Sequence, residues 1–208
     1  GEIITNRILN GETCAIVTDA GMPCVSDPGE LLIMQCEEKG IPTIVIPGPT
    51  AFASALAISG LPTGRFTFEG FLSVNKKSRK EHLESLINEE RTMLFYEAPH
   101  KLSNTLKDFA NYFPNRKLSI VREITKIHEE VIRTTTDKAY EDYGETGLKG
   151  EIVLVLGGKP HKEEEETYTL SDAVEMAKKL IENGEKATTA SKEIASLTGF
   201  KKNEIYKE

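Results

Sequence analysis

The sequence predicts an α/β protein with a helical C-terminal part, and three features carry that reading. Short apolar, β-branched runs alternate with stretches of helical periodicity from Glu2 to Leu156. Two of the apolar runs break into loops rich in Gly and Pro, "AIVTDAGMPCVSDPG" from Ala15 and "IVIPGPTAFASALAISG" from Ile44. Beyond Lys159 a charged stretch is followed only by helix-like patterns.

In order along the chain, Glu2 to Leu9 has helical spacing and stops at Asn10-Gly11. "TCAIVTD" then reads as a buried strand, "GELLIMQCEEKG" as a helix, "PTIVIPG" as a second strand and "TAFASALAISG" as a small-residue helix ending at Gly60. This β-loop-α alternation implies a parallel sheet, and such sheets bind ligands beyond the carboxyl ends of their strands. After "LPTGRFTFEGFL" the pattern restarts. Ser78 and Glu81 form a capping-box pair opening a helix to about Glu90. "TMLFYE" is a strand, "PHKLSNTLKDFANYF" a helix and "KLSIVRE" a strand. "EEVIRTTT" and "GEIVLVLGG" add two strands around a short helix from Asp137 to Tyr143. This second sheet is expected to be mixed, because "REITKIHEEVIR" leaves little room for a helical crossover. "KPHKEEEET" from Lys159 is a linker. "LSDAVEMAKKLIENG" and "TTASKEIASLTGFKKNEIYKE" are two or three short helices, with Ser171 as a cap and Gly184 and Gly199 as stops. They read either as a helix-turn-helix or as an amphipathic packing module.

Composition narrows the function classes. At 208 residues and 38% hydrophobic the chain has enough apolar material for one large core or two small ones. No apolar run approaches the length of a bilayer span, and the first residues carry neither a basic nor an apolar targeting region, so no membrane association is expected. Cys14, Cys24 and Cys36 form no C-x-x-C pair, which predicts reduced thiols packed in a core and no metal site. With 33 acids against 26 bases, the net charge of −7 disfavours binding nucleic acid by bulk electrostatics. Local patches remain, and "NKKSRK" with Lys76 and Lys77 and "FKKNEIYK" with Lys201 and Lys202 are the two basic spots. Each is either a solvated surface or a contact to RNA. Neither a phosphate-binding G-x-x-x-x-G-K-[ST] nor a G-x-G-x-x-G fingerprint occurs, which disfavours a nucleoside triphosphate. Gly21 and Gly48, each near a proline, let backbone approach a ligand closely, although two tight turns with no ligand would carry the same spacing.

The segments "VTDAGMPCVSDPG", "IPTIVIPGPTAFASALAISGLPTGRFTFEGFLS", "TMLFYEAPHKL", "REITKIHEEV", "KGEIVLVLGG" and "LTGFKKNEIYK", in this order, resemble the ribosomal-RNA branch of the tetrapyrrole methylase superfamily. The resemblance covers essentially the whole chain. It implies a class III methyltransferase fold: two α/β domains with S-adenosyl-L-methionine in the cleft between them, plus a small helical module. The corresponding expectation is a remnant of the N-terminal cofactor-binding domain over 1–62, a second α/β domain over 63–160, and a linker with an RNA-binding helical module over 161–208. The family's reaction is 2′-O-methylation of a cytidine ribose in the decoding region of 16S rRNA on the small ribosomal subunit. It implies a cytoplasmic homodimer that uses no metal. Carried across position by position, the cofactor would meet Asp19, Ala20, Gly21, Met22, Thr50 and Ala51 from the two quoted loops. From the second domain it would meet Tyr96, Glu97, Ile124, Thr125, Gly150, Glu151 and Ile152. Family members open with a further segment carrying "TPIGN"-like and "EDTR"-like motifs, which this sequence does not contain. Residues 1–10 match the helix before the fourth strand. The resemblance therefore puts another strand between Ala15–Thr18 and Thr43–Ile46, and predicts that these 208 residues alone form an ordered second domain with a rearranged or oligomer-stabilised remnant of the first and show little or no methyl transfer.

Methyl transfer to a hydroxyl needs in-line alignment with the S–CH₃ bond, exclusion of water and a group that weakens the O–H bond. Glu97, Glu123 and Glu151 are the candidate proton acceptors, and Arg122 and Lys126 candidate phosphate binders, each with a rival reading as a surface ion pair. Two further readings stay open: a porphyrinoid methyltransferase, and a non-catalytic RNA-binding or assembly module. The basic helical tail argues against the first.

Overall fold

In the computed structural model, residues 1–160 and 169–206 are described. The chain divides into two compact units, Gly1–Pro160 and His161–Glu208. The first holds five strands, β1 (Phe66–Phe71), β2 (Thr92–Glu97), β3 (Lys117–Arg122), β4 (Glu130–Thr135) and β5 (Ile152–Leu156), in one sheet of order β1-β2-β5-β3-β4. β1 and β2 are parallel, and every other pairing is antiparallel. The mixed sheet is thus present. Its helices are α1 (Glu2–Leu9), α2 (Glu30–Glu38), α3 (Ala51–Ser59), α4 (Lys76–Ser85), α5 (Pro99–Tyr112) and α6 (Thr136–Tyr143).

The central strand β5 is apolar throughout, and its neighbours β2 and β3 are buried along most of their length, because both faces are covered. On one face Met93, Phe95, Leu118, Ile120, Leu154 and Leu156 pack with Leu83 of α4, Leu102, Leu106 and Phe109 of α5 and Ala139 of α6. On the other, Leu94, Val121, Val153 and Val155 pack with Ala55 and Leu56 of α3. Through this packing α3 lies in the same compact unit as the sheet. Arg133 of β4 fixes the far end of α3, its Nε and Nη2 donating to the carbonyls of Ser59 and Ile58 at 3.1 and 2.6 Å, where a cation suits the negative end of the helix.

Several expectations are corrected. "TCAIVTD" and "PTIVIPG" form no strand, and Val17, Ile44, Val45 and Ile46 are exposed. Their side chains have strand character, but a strand exists only when a neighbour completes its hydrogen bonds, and neither segment has one among the described residues. Cys14 is exposed for the same reason, and only Cys36 is buried, so the thiols are not all core residues. Phe66–Phe71, to which the sequence reading assigns no element, is an edge strand, with a register shift between Phe68 and Gly70 that obscures its alternation in sequence. The cap of α4 is Asn75, whose side chain accepts from Lys77 and Ser78 N–H; Ser78 lies inside the helix. In the second unit the cap of α7 (Leu170–Glu182) is Thr169, in a capping box with Asp172, and not Ser171.

The second unit continues with α8 (Ala187–Thr198), which ends at Gly199, and α9 (Lys202–Tyr206). Ala173, Ala177, Ile194 and Ile205 form its core, with Phe200 packed against them. The linker expected from Lys159 to Thr167 falls largely outside the described residues. Among the described residues no helix is long and apolar enough to cross a membrane.

Candidate cofactor site

Strand direction and register gather the candidate residues at one edge of the sheet. Phe71 lies opposite Tyr96, Glu97 opposite Ile152, Ile152 opposite Arg122, and Arg122 opposite Glu130. The ends of β1, β2 and β3 and the starts of β4 and β5 therefore share that edge. It presents Tyr96, the turn after β3 with Ile124 and Thr125, and the start of β5 with Gly150, Glu151 and Ile152.

The two N-terminal loops meet each other and reach the same edge. A Cβ on Gly48 would lie 3.4 Å from Met22 Sδ and 4.0 Å from the Gly21 carbonyl oxygen, so the Asp19–Met22 turn and the Pro-Gly-Pro turn are in contact. At the start of α3, Phe52 N–H donates to Tyr96 Oη at 3.3 Å. Phe52 stacks on Phe68 at 4.6 Å, and Phe68 meets Tyr96 edge-on at 5.0 Å. Thr50 and Ala51 are thereby held beside Tyr96. Burial pushes the Tyr96 hydroxyl above its ordinary pKa; the Phe52 N–H opposes the shift and the charge of Asp27 adds to it. The phenol stays protonated at neutral pH and is a standing donor. Phe52 and Asp27 escape sequence reading, since their signal is a contact made only on folding.

The turn after β3 is held in an unusual conformation. Glu123 and Thr125 have φ of 51° and 65°, and positive φ is a genuine outlier for a β-branched threonine. Three interactions hold it. Glu123 N–H donates to the Glu151 carbonyl at 3.0 Å, the Glu123 carboxylate accepts from Glu151 N–H at 2.8 Å, and the Glu129 carboxylate accepts from Thr125 N–H at 2.5 Å. Lys126 Nζ lies 3.1 Å from both the Glu123 and Glu151 carboxylates. The Glu151 backbone N–H, and then Lys126, hold the Glu123 carboxyl below its ordinary pKa, while the Lys126 ammonium is raised by Glu123 and Glu151. Both ions are stabilised as ions.

Not all candidates are equally available. The Glu97 carboxylate is buried on the helical face, accepting from Ala98 N–H at 2.8 Å and from the Thr105 hydroxyl of α5. Arg122 pairs with Glu130 at 2.7 Å and donates to the Lys149 carbonyl, so Arg122 and Lys126 are both engaged within the fold. The Glu151 side chain is 85% exposed. Lys76 and Lys77 are exposed in the first turn of α4, and Lys201 and Lys202 are exposed at the start of α9.

Comparison with known proteins gives this geometry its context. The family model for tetrapyrrole (corrin/porphyrin) methylases matches residues 1–140. The chain belongs to the tetrapyrrole methylase family. Within that family it is 40% identical over 208 residues to the ribosomal RNA small subunit methyltransferase I of Halalkalibacterium halodurans, covering 99% of this chain and 72% of the relative. It is 39% identical over 201 residues to the same-named protein of Synechocystis, covering 96% and 72%. It therefore belongs with that group of methyltransferases. Among solved structures, the methyltransferase CobJ aligns with a TM-score of 0.51 at 22% identity over 66% of this chain and 62% of that one. Uroporphyrin-III C-methyl transferase from Thermus thermophilus, complexed with S-adenyl homocysteine, aligns with a TM-score of 0.50 at 17% identity over 74% and 70%. The two structures share the fold of this tetrapyrrole methylase family member.

Proposed function

We propose that this chain is an S-adenosylmethionine-dependent methyltransferase of small-subunit ribosomal RNA, with the ribose 2′-hydroxyl of a cytidine in the decoding region as acceptor. The observation that supports it is the convergence of the Asp19–Met22 and Pro47–Ala51 loops on the strand edge at Tyr96, in a chain 40% identical to a ribosomal RNA methyltransferase. The residues fit the methyl donor. Backbone N–H and C=O groups over 13–21 and 42–49 make no hydrogen bond to other backbone among the described residues. Ala20, Gly21, Gly48 and Ala51 leave that backbone open to a ligand, while Met22, Phe52 and Ile124 supply apolar surface for a flat base. Asp19, Thr50, Tyr96, Thr125, Gly150 and Ile152 complete the set that would hold it.

When bound, the sulfonium supplies an electrophilic methyl group. The chain's task is then to align the acceptor oxygen, exclude water and accept a proton. The locked turn at Glu123–Thr125 and the Tyr96–Phe52 contact position groups on rigid strand ends, which favours alignment. For the proton, Glu97 is occupied in the helical layer and the Glu123 charge is stabilised. Glu151, whose side chain is exposed, is the carboxylate best placed to take it. Glu123 and Lys126 serve as positioning residues. The reading extends to a cytoplasmic homodimer, whose mass in solution is directly measurable.

The test offers the chain a tritiated methyl donor with small subunits, naked RNA and a porphyrinoid, and follows donor binding by calorimetry. Label in RNA and preference for the sulfonium compound over ATP are expected. Label in the porphyrinoid alone would transfer the reading to tetrapyrrole methylation. RNA binding without transfer to any acceptor would establish a non-catalytic module.

A further inference from the structure

α4 follows the end of β1 and α5 the end of β2, so the two helices start at the strand edge that carries the candidate cofactor site. A groove of about 540 Å³ opens along them, lined by Lys76, Arg79 and Lys80 of α4 and by Lys101, Lys107 and Asp108 of α5. Its one carboxylate is neutralised, because Arg79 Nε lies 2.7 Å from Asp108 Oδ2 while Arg79 Nη2 donates to Thr105 at 2.8 Å. Lys80 has only a 3.6 Å contact to Glu84. Lys76, Lys101 and Lys107 have no ion pair among the described residues.

The placement of these cations opposes helix stability. The first turns of α4 and α5 contain no acid; they carry Lys76 and Lys77, and His100 and Lys101. A cation there repels the positive end of the helix dipole, and an anion bound in the groove would reverse the effect. Lys101 and Lys107 are six residues apart, about 9 Å along the axis at ~1.5 Å per residue, with the exposed amide of Asn104 between them. A linear array of point charges with an intervening hydrogen-bond donor suits an extended polyanion better than a single small one. In a chain of net charge −7 this is a local exception.

We propose that the α4–α5 groove holds the sugar–phosphate backbone of the RNA substrate, with Lys101 and Lys107 on phosphates along one wall and Lys76 and Lys80 on the other. The proposal rests on the reading that the substrate is RNA. It adds α5 to the surface expected from Lys76 and Lys77, and leads the strand away from the sheet edge where transfer would occur.

The test compares the chain with its Lys101→Gln, Lys107→Gln double variant and with the Lys101→Arg, Lys107→Arg variant. Anisotropy of a fluorescein-labelled single-stranded RNA is followed across a salt series. Loss of two phosphate contacts should weaken binding about tenfold near physiological salt and reduce the log–log salt slope by about 1.4. The arginine variant should restore both, and calorimetric binding of S-adenosylhomocysteine should match in all three proteins. Unchanged RNA affinity and slope in the glutamine variant, with methyl transfer to RNA intact, would overturn the groove and leave the methyltransferase reading standing. Failure of the unaltered chain to bind or methylate RNA would remove both. Tighter binding of polyglutamate than of RNA, lost in the glutamine variant, would reassign the groove to an acidic protein partner.

Discussion

Gly150 shows how one residue ties backbone shape to the candidate site. Its φ is 92°, and a Cβ would lie 2.4 Å from the Glu123 Cγ, inside the contact that locks the turn after β3. Gly150→Ala should therefore lower stability by about 1–3 kcal/mol and weaken binding of the methyl donor, measured by urea unfolding and calorimetry. Stability unchanged with donor affinity unchanged would show that the turn tolerates displacement. Glu89 gives a pH prediction. Hydrogen bonds from the Arg91 side chain, then from Arg91 N–H, draw its pKa from 4.5 to about 2. The folded pKa is depressed, so this contribution is complete above 4.5 and is lost as pH falls towards 2. The stability gap between the chain and Glu89→Gln should narrow over that window and be flat above it. A gap that widens on acidification would contradict the assignment. At this scale the Gly and Pro residues of the two loops are legible in sequence, because they punctuate the chain locally. Asp27 and Phe52 are not, because their meaning comes from Tyr96, far away in sequence.

At the scale of elements, periodicity located the helices and the central strands closely, and failed where a second signal competed. Asn75 and Thr169 are the caps, although Ser78 and Ser171 stand nearby with similar chemistry. The choice depends on which residue leaves helical backbone geometry first, which composition alone does not determine. Thr169→Ala removes a complete capping box and should cost α7 about 1 kcal/mol. Hydrogen exchange of α7 amides should accelerate while β2 and β5 amides are unaffected. Equal acceleration in both would mean that the cap stabilises more than its own helix. β1 was hidden because its bulge breaks the two-residue repeat, whereas the buried β2 and β5 announce themselves as apolar runs.

For the whole molecule, the contrast is between a sheet with both faces covered and two extended segments with no strand partner among the described residues. Amides of Thr13–Thr18 and Thr43–Ile46 should exchange at nearly unprotected rates, and those of β2 and β5 slowest. Strong protection at 43–46 together with a doubled mass in solution would show that a second copy pairs with these segments, since exposed strand-forming edges favour strand addition. The sequence by itself determined the alternation of elements, the loop chemistry and, through the order of its motifs, the family. These properties are written in local propensity and spacing. Only the tertiary structure decided that Phe66–Phe71 pairs as an edge strand, that Glu97 faces the helical layer and Glu151 the solvent, and that lysines of α4 and α5 share one groove. Strand pairing, side-chain direction and the meeting of two helices all depend on groups distant in sequence, so no local pattern records them.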